Sequence, residues 1–423
     1  MSSKPVRWLM AAALLSTISV PGWAQPELVG GEFQVNQNDK PRQLQPQVAF
    51  SPAGSSLIVW ENDRYGILGR AYDRDGNALT GELVLVANQN LPGIPAQGNV
   101  VVRKEPALVH LDGNEFLVLW TEERDFLVLD HFYERRVILD QDVYGQRFSL
   151  DGAPQGPRFR VNAVTDHHQR RPEAAVLPAG LVVTWENAWK SDERNSHAIY
   201  ARQFTRRGVA EGAELRVDAG QFPEVWNPDV AANAAGDFMI VWESGALTAP
   251  NIYARLYERD GTPLGPRFVA NPSTAGRQRR PAVISTRGGD FLVAWQSYIK
   301  GTPAPVHGIL GQFYSPAGQR IGSEIQISNG SGEVQISPAL ARLPSGDIVV
   351  AWMDWIDTYP IGVFAVEMDE NGPLGDEILV SQERLYPQYA ISVAASATGE
   401  IVATWEARIK RERAIAARRL LAD

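Results

Sequence analysis

The chain of 423 residues contains no cysteine. Disulfides, thiolate metal sites, a cysteine nucleophile and a lipid anchor on cysteine are thereby excluded. A disulfide-free exported chain must be held by its own core, and this length is enough to bury one. Long apolar runs are also missing. Trp8 to Val20 is too short to cross a bilayer, and no later segment approaches the roughly 18 apolar residues a span requires. Positive charge is scarce: 40 Lys and Arg stand against 49 Asp and Glu, a net charge of −9. An acidic chain is a poor partner for nucleic acid. Disorder is excluded by composition, since 44% of the residues are apolar and only 21% are charged. The 37 glycines and 28 prolines are spread along the chain rather than pooled in a linker, which favours many short strands joined by turns.

The first 24 residues read as a secretory signal. Lys4 and Arg7 precede the apolar run, and Gly22-Trp23-Ala24 offers small residues where a signal peptidase cuts. The expected mature chain, 25–423, starts at Gln25 and forms one domain, exported to the periplasm or secreted. Loss of Lys4 and Arg7 brings its charge to about −11.

The chain is internally repetitive. Trp60, Trp120, Trp185, Trp242, Trp295, Trp352 and Trp405 end similar apolar runs, at spacings of 60, 65, 57, 53, 57 and 53. Fourteen residues before most of them stands a proline: Pro46, Pro106, Pro228, Pro281 and Pro338. Pro172 lies 13 before its tryptophan, and Ile391 takes the place in the last copy. Shortly before that position a segment of the type Gly-x-x-Phe-x-Val-Asn ends, as at Gly31 to Asn36, Gly156 to Asn162 and Gly265 to Asn271.

Each copy reads as four strands. The first follows the proline and often carries a small residue, such as Ala49, Ala175 or Ala231. The second is the apolar run to tryptophan. The third resembles Ile252 to Tyr257, and the fourth is the Gly-x-x-Phe-x-Val-Asn segment. Between third and fourth lie Asp-Gly turns, Asp75-Gly76, Asp151-Gly152 and Asp260-Gly261, suited to tight hairpins. The second strand is apolar on both faces, so it needs sheets on both sides. Blades stacked around an axis supply that environment. The expected fold is an all-β, seven-bladed β-propeller of four-stranded antiparallel blades, the tryptophans packed between blades. The chain opens with a fourth-type strand and ends after a third-type strand, Ala414 to Leu420. Gly31 to Asn36 is therefore expected to complete the last blade and close the ring.

The repeat resembles that of uncharacterised secreted bacterial β-propeller proteins, with Gly-x-x-Phe-x-Val-Asn, then Pro-x-Val-Ala, then the run to tryptophan. The resemblance covers Gly31 to Leu420 and speaks to fold rather than function. A fainter similarity is to sialidase-type Asp-box propellers. The turns here are Asp-Gly without the box's Asp-x-Gly spacing, and sialidase activity is not carried over.

Loop lengths vary on one face only. The connections from second to third strand range from Glu61–Gly66 to Thr121–Asp142. Those from fourth to first strand are constant save for an insertion within Gln89 to Glu105. Both kinds emerge at the same end of an up-and-down blade, and variable loops on a rigid scaffold carry function. The candidate ligand residues on this face are Arg170, Arg171, Trp189, Trp226, Arg279, Arg280, Tyr298 and Trp355. Arginines with aromatics suit an acidic saccharide or a protein surface. Cross-strand pairing of Arg171 with Glu186, and of Asn227 with Glu243, is the structural alternative.

Asp166-His167-His168 beside His197 matches no standard metal spacing, so no metal is expected. Glu61, Glu186, Glu243 and Glu406 each follow a repeat tryptophan and read as repeat structure rather than as catalytic carboxylates. Asp73 to Gly76 lacks the later ligands of a calcium loop. No Ser-His-Asp set, phosphate loop or nucleotide fingerprint stands out, and no cofactor is expected. The expected function is a non-catalytic binding module. The alternative is a polysaccharide hydrolase or lyase working at the channel mouth on the same face.

Overall fold

Apolar runs too short for helices, punctuated every few residues by turn formers, leave the chain strands and little else. The structure, a computed structural model, describes residues 26–38, 42–90, 100–130, 133–188, 197–218, 224–246, 248–298, 307–329, 334–356, 359–382, 389–409 and 412–422. The leader and Trp189 lie outside them, as does most of the insertion after Asn90. Among the described residues there is no helix.

The strands form antiparallel sheets of propeller type. In the first copy the order is Gln43–Phe50, Ser56–Asn62, Gly66–Tyr72 and Leu83–Ala87, each paired with the next. The fourth copy repeats it with Val225–Ala232, Phe238–Ser244, Asn251–Tyr257 and Phe268–Val269. The second and third copies share one nine-stranded sheet, because His168 bridges to Gln141 in parallel. In the last sheet Tyr389–Ala395, Glu400–Ile409 and Glu412–Leu421 are followed not by a later strand but by Glu27–Gln34. There Phe33 lies opposite Ala417, and the Val35 amide donates to the Ile415 carbonyl at 2.8 Å.

The asparagine of the fourth-strand segment has a structural task. Its side-chain oxygen accepts a backbone amide of the third strand: Asn36 from Ile415 (2.8 Å), Asn162 from Val143 (2.8 Å) and Asn271 from Ile252 (2.7 Å). Ser328 and Ser381 do the same with hydroxyls. The glycines of the three Asp-Gly turns take φ of +84°, +83° and +86°, which a side chain would strain.

All seven repeat tryptophans are buried, none more than 1% exposed. Each sits in an apolar cluster with the preceding copy. Trp120 packs with Val59 and Ile67, Trp185 with Leu117 and Leu119, and Trp242 with Val182 and Ile199. Trp295 packs with Val241, Trp352 with Leu292 and Trp405 with Ala351. Trp60 of the first copy packs with Val402 and Ile415 of the last. The innermost strands touch in the same succession, and Gln43–Phe50 lies against Tyr389–Ala395.

One expected loop is not a loop. Thr121 to Asp142 continues the second and third strands of its copy as a long hairpin, Glu115–Asp130 with Tyr133–Ser149, paired out to Asp130 opposite Tyr133. The run Phe126-Leu127-Val128-Leu129 and the later Val137-Ile138 are strong strand formers, and strand propensity overrides the loop reading based on length.

Trp242→Ala is expected to lower the unfolding free energy by about 3–5 kcal/mol in a urea titration, through lost burial and the cavity left behind. Deletion of residues 25–36 should abolish a single cooperative thermal transition, because it strips Glu412–Leu421 of its neighbour. A cooperative transition at the intact protein's temperature would show that the strand contributes little.

Candidate functional site

Each first strand is interrupted at the same place. The register slips just before the repeat proline, between Leu44 and Gln47 in the first copy and between Arg170 and Glu173 in the third, with equivalents in the others. The bulged residue adopts positive φ: Gln45, Glu105, Arg171, Asn227, Arg280, Ser337 and Ala390, from +42° to +55°. None is glycine, and a residue before proline resists compact backbone states. All seven line one cavity of about 1040 Å³.

The strained amides are held by side chains of the preceding copy. Glu406 accepts from Gln45 at 2.8 Å, Glu61 from Glu105 at 3.0 Å, Glu186 from Asn227 at 2.8 Å and Glu243 from Arg280 at 3.3 Å. In the second copy Thr121 stands after the tryptophan. Its hydroxyl accepts the Arg171 amide at 3.2 Å, and the Glu105 carboxylate accepts it at 3.1 Å. Opposite Ser337 and Ala390 the position is filled by Gln296 and Met353, and those two amides have no such acceptor among the described residues. The carboxylates after the tryptophans are thus clasps between copies. Burial raises the Glu61 carboxyl to about 7 and pushes Glu243 and Glu406 upward as well.

The cavity gathers five of the eight sequence candidates: Arg171, Trp226, Arg279, Arg280 and Trp355. The bulge corrects the expected pairing by one residue. Arg170, not Arg171, lies opposite Glu186, and Trp226, not Asn227, lies opposite Glu243. Arg170 is committed there, its Nε 3.0 Å from Glu186, and does not line the cavity. Displaced by the bulge, Arg171 still reaches Glu186 at 3.1 Å and Asn227 at 3.3 Å through Nη1. Arg279 lies 3.4 Å from Glu243. Arg280 differs: its guanidinium donates to the Ser337 hydroxyl and has no carboxylate within ion-pair distance among the described residues. Burial pushes its pKa down. Tyr298 is separate, in a smaller hollow of about 350 Å³ with Thr248 and Arg277. Trp189 lies outside the described residues.

The walls are unlike. Ile336, Met353, Trp355, Ala390 and Ile391 form an apolar side, while Glu105, Arg171, Glu173, Asp229 and Arg280 form a charged side. Glu173 and Asp229 were not among the sequence candidates. Their signal was a break in the repeat: the residue after the proline is Gln47, Ala107, Ala282, Ala339 or Ser392 in the other copies and a carboxylic acid in these two alone.

His168 and His197 flank Ala188 in one cross-strand row, and the His197 ring meets Trp226 edge to face at 5.9 Å. Burial lowers the His197 pKa. Among the described residues no three histidines or carboxylates cluster as metal ligands. Asp73 closes its own turn, accepting from the Asn77 amide at 2.7 Å and the Asp75 amide at 3.0 Å.

No protein family and no curated protein matches the chain. Solved structures do. A polysaccharide lyase, an ulvan lyase bound to -[GlcA(1-4)Rha3S]-, is 7% identical, with a TM-score of 0.55 over 95% of each chain. The NanB sialidase of Streptococcus pneumoniae is 8% identical, with a TM-score of 0.52 over 82% of this chain and 70% of that one. A protein of unknown function from Dyadobacter fermentans is 12% identical, with a TM-score of 0.51 over 96% of this chain and all of that one. The likeness is one of fold. It corrects the preference for a non-catalytic module: where such a fold has a named activity here, it is that of a glycan-acting enzyme, so the enzyme alternative takes precedence.

For the clasps the pH dependence has a definite sign. Glu61, Glu243 and Glu406 bind protons more tightly when folded. Their stabilisation is complete below the ordinary carboxyl range and is lost as pH rises through their raised pKa values, about 7 for Glu61. Glu61→Gln keeps an acceptor for the Glu105 amide without the charge. The melting temperature of the variant relative to the parent should climb between about pH 5 and pH 8, by the equivalent of about 2 kcal/mol. A pH-independent difference would mean that Glu61 is not buried as described.

Proposed function

We propose that the chain is an exported seven-bladed β-propeller, its leader 1–24 removed and its ring closed by Glu27–Gln34, that cleaves an acidic polysaccharide as a hydrolase or lyase at the variable-loop mouth of its central cavity. The observation that carries this reading is Arg280. Its guanidinium lies at the cavity wall with no carboxylate in ion-pair contact among the described residues, open to an incoming anion, and a planar fork matches a carboxylate or sulfate group with two hydrogen bonds. Arg171 and Arg279, already paired, supply positive potential around it. Trp226 and Trp355 offer flat apolar area for sugar rings. The ulvan lyase similar in fold was solved with an acidic saccharide, which favours the same ligand class. A nucleic acid is not called for, since the chain is acidic, and no helix among the described residues is long and apolar enough to cross a membrane.

The test is a screen of the mature protein on uronate-containing, sulfated and neutral polysaccharides, with chromatography of the products. Cleavage is expected for acidic substrates alone. Arg280→Ala should raise KM roughly 10- to 100-fold, the scale of one lost charge-assisted hydrogen-bond pair, and weaken its dependence on salt at unchanged melting temperature. Equal action on neutral polymers, or an indifferent Arg280→Ala, would refute the reading.

A further inference from the structure

The charged wall of the cavity holds two carboxylic acids one step below the ring of strained residues. In six copies the residue after the proline position lines the channel, and on the adjacent third and fourth copies it is Glu173 and Asp229. Their surroundings differ. Asp229 accepts the Val230 amide with Oδ1 and the Val283 amide with Oδ2, both at 2.8 Å, so the charged form is well solvated by the backbone. Ser392 makes the corresponding reach to the Val48 amide at 3.3 Å. By this pattern Glu173 would receive the Val230 amide, which Asp229 has already taken. The Glu173 carboxyl has no hydrogen-bond donor among the described residues, is half-buried, and faces the cavity beside the charge of Asp229. Burial and that neighbouring charge raise its pKa well above the carboxylate range. Asp229, desolvated in the same wall, rises only to about 6 because its two amides oppose the shift. Glu173 is thereby set to hold a proton more tightly than Asp229, the division of labour that glycoside cleavage requires.

We propose that Glu173 is the general acid and Asp229 the general base of a glycoside hydrolysis in this cavity, an inference that rests on the glycan-cleaving function above. Glu173 passes its proton to the glycosidic oxygen as the bond from that oxygen to the anomeric carbon breaks. A water oxygen bonds the anomeric carbon, and Asp229 takes the proton that water loses. Solvent then returns a proton to Glu173 and removes one from Asp229. Water adds across the broken bond and nothing is oxidised or reduced.

The experiment compares Glu173→Gln and Asp229→Asn with the parent on the acidic polysaccharide that the screen identifies. Glu173→Gln preserves shape and should lower kcat about 10²- to 10⁴-fold with KM little changed, abolishing the high-pH limb of the rate profile. Asp229→Asn should abolish the low-pH limb. Should Asp229→Asn fail to fold through loss of an amide contact, Glu173→Gln decides alone. Products should carry saturated ends that incorporate one oxygen from isotopically labelled water. Unsaturated, ultraviolet-absorbing products, or an unchanged pH profile in Glu173→Gln, overturn this pair and leave the glycan-cleaving function standing. No cleavage of any acidic polysaccharide overturns the function. Infrared difference spectra then judge the pair independently: a protonated carboxyl band near neutral pH that vanishes in Glu173→Gln upholds the shared-proton arrangement, and its absence from the parent removes it.

Discussion

A backbone amide turned the wrong way organises this molecule. Holding a non-glycine residue at positive φ costs on the order of 1–3 kcal/mol, and the chain does so at the same point in every copy. The strain persists because a bulge forces it and, at five junctions, a side chain from the preceding copy captures the exposed N–H. The same turn swings the side chains of Arg171 and Arg280 toward the axis. The atoms that join one copy to the next are therefore also the atoms that shape the mouth of the cavity, and neither can change without the other. Asp229 faces the same constraint: its two oxygens are occupied with amides before they are available to any ligand, whereas Glu173 has no such donor among the described residues.

That constraint accounts for the unevenness of the cavity. Where the clasping glutamates persist, around the first five copies, the wall is polar and rich in arginine. Where Met353 replaces the clasp and Ile391 replaces the proline, the wall turns apolar, and Trp355 lies there. A chain that begins as a repeat ends with a cavity of two unlike walls, the pair of surfaces on which the proposed acidic polysaccharide is to bind.

Much of this was legible in the residue order, because repetition samples one environment seven times. The tryptophans, the turn glycines, the pairing of the N-terminal segment with the last strand and the structural use of Glu61, Glu186, Glu243 and Glu406 all came from comparing copies. Two things were not legible. The positive φ before each proline runs against local preference, so no local signal announces it; only the clasp from another copy makes it tolerable. Glu173 and Asp229 were passed over because each is a single departure in a strand otherwise read for its small residues. Tyr298 and Arg170 were grouped with the cavity by loop membership, but the first lies in its own hollow and the second is spent on Glu186. Side-chain direction after a bulge cannot be read from spacing.

The pairing of Glu27–Gln34 with Glu412–Leu421 has a kinetic consequence. Chains are synthesised from the N-terminus, so the first strand has no partner until almost the whole chain has emerged. The sequence separation of this pairing is near the maximum a chain of this length allows, and contacts so distant form slowly. An orphan strand that waits so long invites pairing with the wrong neighbour. This one reads Glu-Leu-Val-Gly-Gly-Glu-Phe-Gln: two acids, and two glycines where a stickier strand would carry branched residues. Charge and glycine act as gatekeepers while the segment waits. Its weak intrinsic tendency to form sheet then serves assembly, since the segment is free to wait for the long edge strand of the last copy, Glu412–Leu421, on which it is held.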